Sequence, residues 1–304
     1  MRLINSSWEI LEQAPGIEGV YKQVEKAART CYKSEDKITD DSYKKFLKML
    51  YDRGHWACFE QGTVYLKVSV PDVMSYIPCL NYYSNQYSTV YSNQCKNETI
   101  YYITSNLRVL LENNWLNNLK YICEPTEYHE KRICVRFILS NGIGREFTRH
   151  RAFSFMQEST RYVRYDGSKD TRDITFIIPS HLDLMEGTYV YDRGKWNVLY
   201  HPDNDPILFN KELTNTPDID EYLFALKRSE DSYTMLLHSG WTPQQARGVL
   251  MLDGKTELIM TGTITQWKSF FKLRTDNAAH PDARALAIPL QEEFIKRGYI
   301  KDEK

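Results

Sequence analysis

Between Gly144 and Tyr165 the chain reads GREFTRHRAFSFMQESTRYVRY, with five arginines (Arg145, Arg149, Arg151, Arg161 and Arg164) against two acids, Glu146 and Glu158. A guanidinium is a planar fork of donors that suits phosphate, and each charge-assisted contact is worth about 1.5–3 kcal/mol once desolvated. A charge run is commonly a solvated helix face, and composition alone weighs the two readings equally. Phe147, Phe153, Phe155 and Met156 bury part of this segment, however, and Ser154, Ser159 and Thr160 set short hydroxyls among the arginines. The residues point to an anion site with stacking surfaces, for which a nucleotide is the natural ligand. His150 stands between two arginines. Like-charge repulsion is expected to depress its pKa and leave a neutral ring that hydrogen-bonds or stacks.

That local excess sits in a chain of 304 residues with 39 basic and 40 acidic side chains. The balance excludes a surface tuned as a whole to nucleic acid or an anionic membrane. No apolar run approaches the roughly 18 residues of a membrane helix, and MRLINSSWEILEQAPG lacks the apolar block of a signal peptide. A cytoplasmic location is expected. Six cysteines (Cys31, Cys58, Cys79, Cys95, Cys123 and Cys134) form no CxxC pair, so they read as reduced, mostly buried thiols. No metal site is expected: His201-Pro202-Asp203 and His280-Pro281-Asp282 read as turns, and His129-Glu130 lacks the HExxH spacing.

The elements that must position the arginines are partly legible. Residues 40–53 predict a helix with Phe46, Leu47, Leu50 and Tyr51 on one face, Asp40 as cap and Gly54 as stop. TVYLKVSV alternates Val64, Leu66, Val68 and Val70, the pattern of a half-buried strand. Residues 80–100 read as loop, and Ser105 as the residue before a helix reaching about Asn118. RICVRFILS and ITFIIPS predict strands, with a turn and helix over GIGREFTRHR between them. Residues 181–216 read mostly as loop and 218–238 as helix. Thr242-Pro243-Gln244-Gln245 predicts a helix start, running to Leu252. TELIMTGT reads as a strand, 264–274 as a helix, and Pro281 as the opening of a last helix interrupted near Pro289. Without regular alternation of helix and strand, the expectation is an α+β fold rather than a doubly wound sheet, in a single domain over 1–304.

Arg149-His150-Arg151, seven residues, then Ser159 and Arg161-Tyr162 resembles the signature of the flavin-dependent thymidylate synthases. Gly54-His55-Trp56-Ala57-Cys58-Phe59-Glu60, Ala27-Ala28-Arg29, Ala246-Arg247-Gly248-Val249-Leu250 and Leu273-Arg274-x-Asp276 resemble other segments of that family in the same order. Residues 80–130 and 181–235 look like enlargements of a compact member. The resemblance implies synthesis of dTMP from dUMP, with methylenetetrahydrofolate as carbon donor, FAD as bound cofactor and NADPH as reductant. It also implies a fold particular to the family and a homotetramer whose active sites are shared between chains.

By position, Arg149, His150 and Arg151 would contact FAD, with Arg149 also near the nucleotide and His55 against the flavin. Glu146, Gln157, Ser159, Thr160 and Arg161 would line the dUMP site, with Arg247 and Arg274 reaching it from another chain. Arg274 would lie beside the pyrimidine, where a guanidinium stabilises charge developing in the ring. Ser159 has no evident base to activate it, so it reads as a substrate ligand before a nucleophile. Departures fall mainly on FAD: Thr263, Thr265 and Ser269 stand where better-known members carry Asn, Arg and Asn, Ala278 replaces a histidine of some, and Gln61 does likewise. Thr263 and Thr265 also suit a helix cap. No GxGxxG or Walker loop is present, so FAD would bind without a Rossmann fingerprint. The competing class is an RNA-binding module built on the arginines and tyrosines, which the near-zero net charge disfavours.

Overall fold

Two of the expected strands form the middle of the molecule, and both of their faces are covered. A computed structural model describes residues 1–71, 83–161, 163–165, 174–201, 208–214 and 216–301. The central antiparallel sheet has the order β2 (Ser7–Leu11), β6 (Arg132–Ser140), β12 (Lys255–Thr263), β7 (Ser154–Gln157). Pairing sets Leu258 against Phe137 and Met260 against Val135. This face packs on α7 (Ile264–Arg274) and α8 (Pro281–Lys296), through Trp267, Phe270, Phe271 and Phe294. The alternate residues, Ile259 and Cys134 among them, meet Ala27 of α1 (Gly16–Tyr32) on the other face. Gly262 allows the close approach of Phe153, whose ring would lie 2.5 Å from an added Cβ.

A second sheet, β3 (Thr63–Pro71), β5 (Glu98–Asn106), β4 (Thr89–Gln94), turns one face inward. Val64, Leu66, Val68 and Val70 all point into a core shared with α1 and α2 (Ser42–Asp52), as their alternation requires. The third sheet has the order β11 (Phe209–Glu212), β10 (Lys195–Tyr200), β9 (Gly187–Asp192), β1 (Arg2–Ile4), β8 (Thr175–Ile177). Only its β1–β8 pair is parallel. Leu3, Phe176, Trp196 and Val198 pack there against α5 (Pro217–His238). Irregularly ordered helices over three sheets make an α+β fold.

Several expectations are corrected. The described part of 80–100 contains β4 and the start of β5, and 181–216 contains the β9–β10–β11 meander. In both, the outer strand is exposed along nearly its whole length, so its polar residues hide the strand pattern. Ser105 lies within β5, and Asn106 caps α3 (Leu107–Glu112) by accepting the Val109 N–H at 3.1 Å. Asp41 rather than Asp40 flanks α2, and Tyr43 joins its buried face while Tyr51 is exposed. Gly54 ends that region at φ 71°. The helix at Pro243 spans only Pro243–Ala246 (α6), although Gln245 Oε1 accepts the Thr242 N–H at 2.9 Å, as the expected box requires.

Pro289 does not interrupt α8. Ala283, Leu286, Ala287, Leu290 and Phe294 form one continuous buried stripe, which offsets the backbone bond that the proline removes. His280 caps α8, its Nδ1 accepting the Asp282 N–H at 3.2 Å. Cys79, Tyr162 and Pro202-Asp203 lie outside the described residues. Among the described residues, no helix is long and apolar enough to cross a membrane.

Candidate active site

The arginine-rich stretch is not one helix. It runs through the short α4 (Asn141–Phe147), a turn over 148–153, strand β7 and an irregular segment from Glu158. Ser140 caps α4, its Oγ accepting the Ile143 N–H at 3.3 Å. One group of functional side chains gathers before β7 and a second after it.

The first group centres on Arg274, the last residue of α7. Its Nε–H donates to His150 Nε2 at 2.9 Å, and its terminal nitrogens donate to Glu146 Oε2 at 2.6 Å and to the Glu146 carbonyl at 2.7 Å. These bonds use three of the five N–H groups of a guanidinium, so the fork is oriented with two left for a ligand. His150 is held neutral, its pKa lowered to about 4 by burial and then by Arg274. The expected direction holds, but the cause is burial and the distant arginine rather than the two sequence neighbours. Accepting at Nε2, the neutral ring carries its proton on Nδ1. Arg149 and Arg151 are exposed and make no side-chain hydrogen bond or ion pair among the described residues.

In the second group, Arg247 donates to Thr160 Oγ1 at 3.2 Å, and Arg161 Nε donates to Gln244 Oε1 at 3.1 Å. Helix α6 thus meets the signature segment within one chain. Ser159 donates its N–H to the Cys31 carbonyl at 3.2 Å, and its Oγ accepts the Arg161 N–H at 3.4 Å. No described base lies on that hydroxyl. Gln157 Nε2 donates to Thr256 Oγ1 at 3.3 Å.

His55 and Ser269 stand apart from both groups. His55 Nδ1 lies 2.6 Å from the Tyr32 hydroxyl, at the head of a 3-10 turn over Trp56–Gln61. Arg132 ties this turn to β7, donating at 3.2 Å both to the Glu60 carbonyl and to Ser154 Oγ. Ser269 is exposed on α7 and returns its hydroxyl to the Thr265 carbonyl at 3.3 Å. Thr263 does cap α7, accepting the Gln266 N–H at 3.3 Å, whereas Thr265 gives its own N–H to Glu130 at 2.9 Å. Burial raises the Cys58 thiol to about 12 and also raises Cys31, so neither is a thiolate near neutral pH.

Sequence reasoning missed a buried ionic cluster beside Ser159. Lys33, at the left-handed end of α1, pairs with Glu257. Lys255 donates to Glu158 at 2.9 Å and to Glu257 at 2.7 Å, and Arg136 reaches Glu257 at 2.7 Å. The Tyr165 hydroxyl donates to Glu158 at 2.7 Å. Burial works against the Glu257 charge, but Lys255, Lys33 and Arg136 hold its pKa down at about 2. The available signal was Lys255 and Glu257, two positions apart on one face of a strand whose centre, Leu258–Met260, is apolar.

Over residues 16–143 and 131–297 the chain matches the family described as thymidylate synthase complementing protein. The chain belongs to that family. A probable flavin-dependent thymidylate synthase of Paramecium bursaria Chlorella virus 1 is 28% identical over 158 residues, which are 52% of this chain and 63% of that protein. The flavin-dependent thymidylate synthase of Synechocystis sp. is 26% identical over 161 residues, with the same two shares. That of Pyrococcus furiosus is 25% identical over 156 residues, 51% of each protein. The chain therefore spans between about half and 63% of the length of these relatives. A UMP/dUMP methylase, PolB of Streptomyces cacaoi, solved with 5-Br UMP, aligns over 97% of this chain and 92% of its own at 15% identity, with a TM-score of 0.42. So loose a likeness settles nothing about the site.

Two outcomes follow from the electrostatics. A histidine whose folded pKa is depressed stabilises the fold above its ordinary value of 6.5, and that contribution is lost as pH falls from there toward about 4. His150→Gln keeps an acceptor for Arg274 without titrating, so its urea midpoint should fall less steeply than the wild-type midpoint across this window. Glu257→Gln leaves Lys33, Lys255 and Arg136 without their shared carboxylate and should cost about 3–5 kcal/mol in urea unfolding at pH 7.

Proposed function

We propose that this chain is a flavin-dependent thymidylate synthase that methylates C5 of dUMP to give dTMP. The observation that carries the reading is the oriented Arg274 fork, held by Glu146 and His150 with two N–H groups uncommitted. It joins the family match and the activity named for the relatives. Beside a uracil carbonyl, that fork stabilises negative charge on the ring as the C5 bond forms, and it needs no reorganisation to do so. Glu146 and neutral His150 are its positioning groups. Arg149, Gln157, Ser159, Thr160, Arg161 and Arg247 bind and orient the nucleotide. Ser159 serves as a ligand, since nothing described is placed to take its proton. The raised Cys58 and Cys31 thiols accord with a reaction that forms no covalent bond from the substrate to the chain.

The donor set fits FAD. The exposed guanidiniums of Arg149 and Arg151, adjacent to His150, offer charge and hydrogen bonds to a pyrophosphate. His55 and Ser269 complete the proposed contacts. Reduced flavin supplies hydride when bound, with NADPH as reductant and methylenetetrahydrofolate as carbon donor. Within one chain the two arginine groups lie beyond opposite ends of β7. A homotetramer in which Arg274 of one copy serves a nucleotide held by the Arg247–Thr160 segment of another brings the two groups together. The same reading takes 1–304 as one catalytic domain acting in the cytoplasm.

The test is an anaerobic assay of dTMP formation in which FAD, NADPH and methylenetetrahydrofolate are omitted in turn, alongside flavin absorbance near about 450 nm. Each omission should abolish product. Arg274→Ala should lower turnover about 10²–10³-fold, with the melting temperature measured in parallel. Unchanged turnover removes the role given to Arg274. A colourless protein that takes up no FAD but binds RNA with steep salt dependence removes the enzyme reading.

A further inference from the structure

The outer face of the β3–β5–β4 sheet carries a cavity of about 460 Å³, lined also by Ala152, Ser154, Thr263 and Thr265. That volume is in the range of small-molecule sites, about 300–1,000 Å³. Alternation along β5 turns Ile103 into the core and Tyr102 and Thr104 to the opposite face. Pairing then sets Tyr91 opposite Tyr102 and Thr89 opposite Thr104. The Tyr128 ring lies 5.3 Å from that of Tyr91, 10° from parallel, and 4.8 Å from that of Tyr102. Tyr91 is 49% exposed, so much of its surface remains open.

Three observations define what fits. The Thr104 hydroxyl is buried in the cavity wall and has no hydrogen-bond partner. A buried polar group in that state is one a ligand can satisfy. The charge of the wall disfavours an anion: Glu127 and Glu130 line it, and its guanidinium, Arg132, is taken up by Glu60, Thr63, Ser105 and Ser154. A neutral planar heterocycle that stacks and hydrogen-bonds suits such a wall. Third, Ala152 lines the cavity directly after exposed Arg151. A ligand with its heterocycle inside would carry an anionic linker out across Arg151 and Arg149.

We propose that the β4–β5 hairpin forms the adenine pocket of the dinucleotide flavin, with Tyr91 as a stacking wall and Thr104 as a hydrogen-bonding partner. This rests on the flavin reading above and assigns residues outside its arginine groups. The test is fluorescence titration of FAD and of FMN, which lacks the adenosine, into the flavin-free full-length chain. Wild type should hold FAD at least about tenfold more tightly than FMN. Tyr91→Ala and Thr104→Val should each weaken FAD about five- to tenfold and leave FMN unchanged. Because the Thr104 hydroxyl has no partner and valine matches its shape, a purely structural role predicts no loss for Thr104→Val. Equal affinity of wild type for the two flavins, or variants that shift both or neither, overturns the adenine pocket while leaving a flavin enzyme standing. Variants that weaken only NADPH or folate overturn it and give the cavity to a co-substrate. Uptake of neither flavin overturns both readings.

Discussion

Two carboxylates, Glu158 and Glu257, lie almost out of reach of water, and most of the site depends on how they are neutralised. Burying a carboxylate costs several kcal/mol unless cations and hydrogen bonds replace its hydration. Here the replacements come from four places: Lys33 at the end of α1, Lys255 at the start of β12, Arg136 in β6, and Tyr165 beyond β7. A shift of any one of these elements would take a partner away from this buried network. Ser159 adjoins Glu158 in sequence and hands its N–H to α1, so the signature segment inherits the position of this cluster.

The other end of β7 is organised differently. Arg274 is held by a carboxylate, a carbonyl and a neutral imidazole, while Arg149 and Arg151 stand in solvent. One guanidinium is directed and two remain adaptable. That division suits a site where a ring must be met at a fixed angle and a flexible anionic chain must be followed. A charged His150 would oppose Arg274, and burial keeps the ring neutral at physiological pH.

Legibility in the sequence followed the range of the interactions. β3, β6, β12, α5 and α7 were readable because alternation, caps and helical period are local. β4 and β11 were not, since an edge strand facing water needs only a partner, and the partner is long-range. Helix α6 kept its predicted box at Thr242 but stopped early, giving way to a 3-10 turn at Arg247–Val249. The arginines were visible as a cluster, yet their division into two groups follows from β7 lying in the central sheet. Lys33 and Glu257 are distant in sequence, and no spacing rule joins them. Residues 80–100 read as loop, and the common face of Tyr91 and Tyr102 emerges only from the β4–β5 register.

Arg132 carries a consequence for how this chain can change. Its planar fork contacts Glu60, Thr63, Ser105 and Ser154, so one side chain bolts the root of the hairpin sheet to the strand that follows the arginine turn. A lysine ammonium on its flexible stem cannot span acceptors spread in a plane. The outer rim of the hairpin, at Ser92 or Asn93, is therefore open to evolutionary drift, whereas its anchor is not. New side chains can be tried at the edge while the hinge to the chemistry stays locked.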